Sequence, residues 1–131
     1  MENLYIPATK SSPEIQFDAD QCVLAITGES YPEDTAKFYT PVLNWVITCL
    51  KQLHEEQPMI VNVDISYFNS SSSKVLLDFF DVLDEAAMDG KQITVNWLYG
   101  TNNESAKEAG EDFQEDWEAL AFHLICKEEK V

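Results

Sequence analysis

The sequence predicts an α/β protein built on a single mixed β-sheet. An N-terminal β-meander is followed by α-β-α-β-α-β, with the helices packed on the sheet. Two observations carry this. Short β-type runs such as "CVLAIT" and "MIVNVDISYF" alternate with longer runs in which apolar residues recur at helical spacing. The first three β-type runs are joined only by turn-type residues, whereas the later ones are separated by helical stretches. Alternation of the second kind implies parallel strands linked by right-handed crossovers. With 131 residues, no repeat and no long linker, residues 1–131 are read as one domain.

Residues 4–6 and 14–18 ("EIQFD") are short strands separated by a loop of Thr, Ser and Pro. Asp18 to Asp20 make the turn into the third strand, 22–27, which Gly28 ends. Ser30 and Glu33 have the spacing of a capping box, and Pro32 is tolerated in a first helical turn. Phe38, Val42, Trp45, Val46, Cys49, Leu50 and Leu53 then follow helical spacing. Pro41 inside that pattern should kink the helix or split off its first turn. Residues 59–68 alternate: Val61, Val63, Ile65 and Tyr67 share one face, and Asn62, Asp64 and Ser66 the other. A helix from the serines to about Met88 buries Leu76, Phe79, Phe80, Leu83 and Ala87. Asp78, Asp81, Asp84 and Glu85 form its wet side, and Gly90 ends it. Residues 91–99 are the next strand. Thr101 and Glu104 fit a second capping box. Ala106, Ala109, Phe113, Trp117 and Leu120 make the last helical stripe, with Gly110 beside it for close packing. Residues 121–126 complete the sheet, and the tail "KEEKV" should fray.

Charge narrows the partners. The formal charge is −16, from 24 acidic and 8 basic residues, so nucleic acid and anionic membrane would be repelled. A basic protein surface is the better fit. Cys22, Cys49 and Cys126 are far apart and odd in number, which reads as three buried free thiols rather than disulfides or a zinc site. No signal peptide or membrane-spanning run is present, and the expected location is the cytoplasm, without membrane insertion.

Catalysis has little material. The two histidines, His54 and His123, lie on separate elements, and four glycines leave nothing for a nucleotide loop. The acidic run "EAGEDFQEDWE", 108–118, lacks the alternating ligands and turn glycine of a calcium loop, so it reads as a solvated helix face. No catalytic residue, metal site or cofactor is assigned. An enzyme with an acidic metal site ranks last among the readings.

The segment "YFNSSSSK", 67–74, stands out. Asn69 or Ser70 at the N-cap would accept hydrogen bonds from the first free amides, leaving Ser71 to Ser73 as first-turn residues. On that reading the chain is a constitutive interaction scaffold. A second reading starts from Lys74, a cation in the first turn of an acidic helix, where it opposes the helix dipole. It would suit a phosphate on Ser70, four residues earlier, and a phosphoryl group at a helix start meets free amides.

"IPATKSSPEI", "GESYPED" at 28–34, "FYTPVLNWV" at 38–46, "YFNSSSSK" and the strand around Trp97 together resemble the SiaC phosphoregulator family of bacteria, over nearly the full chain. The resemblance implies a STAS-like fold similar to anti-sigma-factor antagonists. It implies a partner serine/threonine kinase with a histidine-kinase-like fold, a PP2C-type phosphatase, and an output partner. That partner is a GGDEF diguanylate cyclase in cyclic di-GMP and biofilm signalling, or a non-cyclase protein such as an anti-sigma-type regulator. The phosphoacceptor of the family maps onto Ser70, where a threonine is the residue expected, and Ser71 competes. Glu29, Tyr31, Pro32 and Glu33 would flank Tyr67, Asn69, Ser70, Ser71 and Lys74 on one docking face, if the strands before them are parallel.

Overall fold

The computed structural model describes residues 1–127. In chain order the elements are β1 (Leu4–Ile6), β2 (Glu14–Asp18), β3 (Val23–Ser30), α1 (Thr35–Gln52), β4 (Met59–Phe68), α2 (Ser70–Met88), β5 (Ile93–Gly100), α3 (Glu104–Glu115) and β6 (Ala121–Lys127). The strands lie in sequence order in one six-stranded sheet. The β1–β2 and β2–β3 pairs are antiparallel, and the three later pairs are parallel.

Period-two alternation becomes rows across the sheet. Phe17, Leu24, Val61, Val95 and Phe122 pair side by side from β2 to β6, and Ile15, Ile26, Val63, Trp97 and Leu124 form the next such row. All but Leu124 are buried, each large aliphatic or aromatic side chain contributing about 1.5–3 kcal/mol by leaving water. The row between them, Gln16, Ala25, Asn62, Asn96 and His123, belongs to the opposite face, where Asn96 Nδ2 donates to Asn62 Oδ1 at 2.9 Å. The core therefore lies between one face of the sheet and the apolar stripes of the helices, such as Val42 and Val46 of α1 and Phe80 and Leu83 of α2.

Several local expectations are corrected. Pro41 splits nothing off: α1 runs as one helix, because Tyr39 and Val42 are both buried and hold it to the core on either side of the missing amide. Both helix starts are capped differently from the boxes at Ser30/Glu33 and Thr101/Glu104. Asp34 caps α1 and Asn103 caps α3, each accepting from the amide three residues on. Helix α3 stops at Glu115, yet Trp117 and Leu120 still pack on the core. Asp84 is buried, not wet; its Oδ1 accepts the amides of Ala119 and Leu120, both at 2.9 Å, and so fixes that connection. Cys22 and Cys49 are buried free thiols, but Cys126 is exposed. Lys127, read as the start of a frayed tail, is in β6 and bridges to Asp64 Oδ1 at 2.8 Å. The rest of that tail, 128–131, lies outside the described residues. Among the described residues no helix is long and apolar enough to cross a membrane.

Candidate functional site

The candidate site lies where β3 and β4 end and α1 and α2 begin. Its geometry depends on one extra residue. Gly28 pairs with Ile65, but Glu29 pairs with Tyr67, leaving Ser66 without a partner in the ladder. This is a β-bulge, which shifts the alternation by one. Ile65 points into the core before it. Beyond it Tyr67 stands 54 % exposed, while Phe68 turns inward, 6.0 Å from Trp97 between ring centres. Tyr67 thus does not share the face of Val61, Val63 and Ile65, as strict alternation required. The partner strand accommodates the irregularity at Gly28, whose φ of +130° is open to glycine and strained for other residues. β3 consequently continues past Gly28 to Ser30. The free carbonyl of Ser66 accepts from Asn103 Nδ2 at 2.9 Å.

The four serines occupy different environments. Asn69, held by its own amide to the Ser30 carbonyl at 3.1 Å, is the N-cap of α2, and its Oδ1 accepts the Ser72 amide at 2.9 Å. Ser70 and Ser71 open the helix, both exposed. In a helix start their amides have no intrahelical acceptor. Ser72 is 0 % exposed. Its Oγ is 2.8 Å from Ser30 Oγ, which is in turn 2.5 Å from the Tyr39 hydroxyl. This buried chain of hydroxyls ties the first turn of α2 to β3 and α1. Burial pushes the Tyr39 phenol above its ordinary pKa, and its bond to Ser30 partly opposes that. Ser73 is half-buried and lines a cavity of about 210 Å³ with Phe68, Leu77 and Phe113.

Across the bulge, the 29–33 segment meets this turn. The Tyr31 and Tyr67 rings stand edge to face, 5.7 Å apart, with Tyr31 and Pro32 half-buried and Glu29 and Glu33 exposed. The Tyr31 amide donates to the Ser11 carbonyl at 2.7 Å, and the Thr9 and Ser12 hydroxyls, 2.6 Å apart, brace that loop. Lys74 is exposed and takes part in no ion pair among the described residues. The structure thus brings the 29–33 and 67–74 segments together on one edge, as parallel β3 and β4 require.

Sequence reading missed the buried roles of Ser30, Tyr39 and Ser72. All three carried a signal, Tyr39 being in helical phase with Val42, Val46 and Cys49. Ser72 is in helical phase with Leu76, Phe79 and Leu83, and Ser30 is in strand phase with Leu24 and Ile26. The bulge had none.

Chemically, the edge offers exposed hydroxyls at a helix start with no histidine on either segment to activate them. Among the described residues no three His, Cys, Asp or Glu side chains are grouped to hold a metal ion. Such hydroxyls suit acceptance of a group delivered by another protein.

Comparison with known proteins agrees in fold and in sequence. The chain is 35 % identical over 116 residues to an uncharacterized protein of Pseudomonas aeruginosa strain UCBPP-PA14, covering 88 % of this chain and 90 % of that one. The structure of SiaC of Pseudomonas aeruginosa superposes with a TM-score of 0.84 at 32 % identity, over 95 % of this chain and 99 % of that one. A chain in the crystal structure of the diguanylate cyclase SiaD in complex with its activator SiaC, from the same organism, gives 0.88 at 33 % identity, over 95 % and 99 %. The family described as SiaC family regulatory phosphoprotein matches residues 6–127. With its sheet order, its helices and its sequence all in agreement, the chain belongs to the SiaC family of regulatory phosphoproteins.

Proposed function

We propose that this chain is a non-enzymatic phosphoswitch adaptor. Its unphosphorylated form docks on an output protein, a GGDEF diguanylate cyclase, and phosphorylation of Ser70 releases it. The observation that carries the reading is the position of Ser70: the exposed first residue of α2, beside the exposed Tyr67. A kinase can reach that hydroxyl without unfolding anything. The phosphoryl group then meets unbonded amides and the favourable end of the helix dipole. Lys74, one turn on, is a candidate charge partner. The likeness to an activator solved together with a cyclase supports the choice of output partner.

The hydroxyl needs no activating base of its own, because the base, ATP and magnesium belong to the kinase. That kinase is of the histidine-kinase-like fold, and a PP2C-type phosphatase reverses the step. The docking face comprises Glu29, Tyr31, Pro32 and Glu33 with Tyr67, Asn69, Ser70, Ser71 and Lys74. Ser71 is the second candidate acceptor, since it too is exposed.

The test is incubation with the cognate kinase and ATP, followed by intact mass and site localisation, with cyclase binding measured before and after. One phosphate on Ser70 and loss of binding is the expected result. Phosphate on Ser71 moves the acceptor by one residue. Modification confined to Ser72, Ser73 or another segment would show that the acceptor is misplaced, and no modification would leave a constitutive scaffold as the better description.

A further inference from the structure

At the opposite end of β3 and α1 from the candidate site, two cysteines share a cavity. Cys22 precedes β3 and Cys49 lies near the end of α1. Both line a cavity of about 160 Å³ whose wall also includes Asp20, Gln52 and Gln57. Its polar wall admits water and small polar solutes, unlike a dry packing void. The two thiols are neighbours in that wall, and the Cys22 thiol holds the Cys49 pKa down to about 7, against the effect of burial. The neighbouring Cys49, burial and the charge of Asp18 push the Cys22 thiol up. Cys22 is also the one non-glycine residue with positive φ among the described residues, at 59°. It closes the turn 19–22 that joins antiparallel β2 to β3, and the turn accounts for that backbone. A pair of cysteines serving only as core filler needs no shared polar opening.

We propose that Cys22 and Cys49 form a redox-modifiable dithiol, which a peroxide entering the shared cavity closes to an intramolecular disulfide. The Cys49 thiolate attacks one peroxide oxygen. The O–O bond breaks, Cys49 becomes a sulfenic acid, and the departing hydroxide takes a proton to become water. The Cys22 sulfur then attacks the Cys49 sulfur. The S–O bond breaks, the hydroxyl leaves as water with the Cys22 proton, and the S–S bond forms. Two thiols lose two electrons in all, and hydrogen peroxide gains them as two waters. A thiol reductant reverses the change. Cys126, exposed on β6, lies outside the pair. This inference is independent of the phosphoswitch.

The test uses the full chain and hydrogen peroxide. After oxidation, remaining thiols are alkylated under denaturing conditions and mapped by mass spectrometry. The expected product is lighter by about 2 Da before alkylation, carries a Cys22–Cys49 cross-linked peptide, and regains both thiols with dithiothreitol. The same result is expected in Cys126→Ser, which removes disulfide-linked dimers as a source of signal. In Cys49→Ser, checked for a normal melting curve, the cross-link is absent and Cys22 stays reduced. Oxidation confined to Cys126, or sulfinic acid at Cys49 with Cys22 still free, would overturn the proposal. Peptide mapping of the wild type alone decides between these outcomes if the Cys49 variant does not fold.

Discussion

Ser72 and its neighbours differ in what each hydroxyl touches, and substitution should separate them. Ser72→Ala removes the bond to Ser30 in a buried site. It should lower stability by about 1 kcal/mol, read as an earlier midpoint in urea. Ser70→Ala and Ser71→Ala remove exposed hydroxyls and should change stability by no more than about 0.5 kcal/mol. Binding reverses the order. At Ser70 a negative charge suits the helix start, so Ser70→Asp should melt near the wild-type temperature. An unpaired charge in a desolvated interface costs several kcal/mol, so the phosphorylated protein should bind the cyclase about a hundredfold more weakly. Ser70→Asp should move part of the way, and Ser70→Ala should bind normally while resisting the kinase. Titration calorimetry alongside thermal unfolding tests both halves. Equal affinity with and without phosphate would refute release as the mechanism, and a far lower melting point would mean the charge acts on the fold.

At the level of elements, two junctions make opposite demands on neighbouring positions. Past the bulge, Phe68→Ala removes a ring packed near Trp97 and Phe113, and should destabilise by about 2–3 kcal/mol, below the range for a fully buried ring. Tyr67→Ala, one residue earlier and mostly exposed, should unfold like wild type yet bind the cyclase less well. Chemical denaturation and binding of the two variants give the comparison directly; equal loss of stability would contradict the bulge. On α3, a Cβ at Gly110 would meet Leu124 and lie 2.5 Å from Trp97 Cδ1 and 2.7 Å from its Nε1. The indole cannot step aside, since it is fully buried and its Nε1 donates to the Ala106 carbonyl at 2.9 Å. Alanine gains about 1 kcal/mol in helix propensity, but overpacking typically costs about 1–3 kcal/mol, and the rigid neighbour favours the upper end. Gly110→Ala should therefore lower the melting temperature. An unchanged or higher value would show that α3 can shift outward freely. The helix stripe around Gly110 was legible as a close-packing pattern. The end of α3 was not, because Trp117 and Leu120 keep helical spacing while being placed by a connection that Asp84 holds.

For the molecule as a whole, charge sets the terms of association. At −16 overall, docking on a basic surface should gain from long-range attraction, which salt screens over about 8–10 Å at physiological strength. Association rate with the cyclase should fall as sodium chloride rises, with a smaller change in dissociation rate. Stopped-flow or surface-binding kinetics across a salt series would show it; a rate indifferent to salt would mean the acidic surface plays no part in encounter. Topology was the most legible property at this scale, since β-type and helical runs alternate plainly and meander turns are marked by Asp18 and Asp20. The closeness of 29–33 to 67–74 followed from parallel pairing of β3 and β4. The hydroxyl chain through Ser30, Ser72 and Tyr39 was hidden for another reason. Phase marks Ser30 and Ser72 as inward-facing, but the hydroxyl that each one meets is distant in sequence and leaves no trace in either segment.

Ser66 is a residue that the sheet does not count. Because nothing in β3 pairs with it, a chain lacking it would run from Ile65 straight to Tyr67 in plain alternation. Tyr67 would still lie opposite Glu29 and face solvent, and Phe68 would still lie opposite Ser30 and face inward. The losses would be local: the acceptor of the Asn103 amide and the extra twist that a bulge gives its strand. Removing Asp64 instead would turn Ile65 outward and Ser66 inward before the register recovered. Chain length in β4 is thus negotiable at one position, next to the candidate site, and rigidly prescribed two residues earlier.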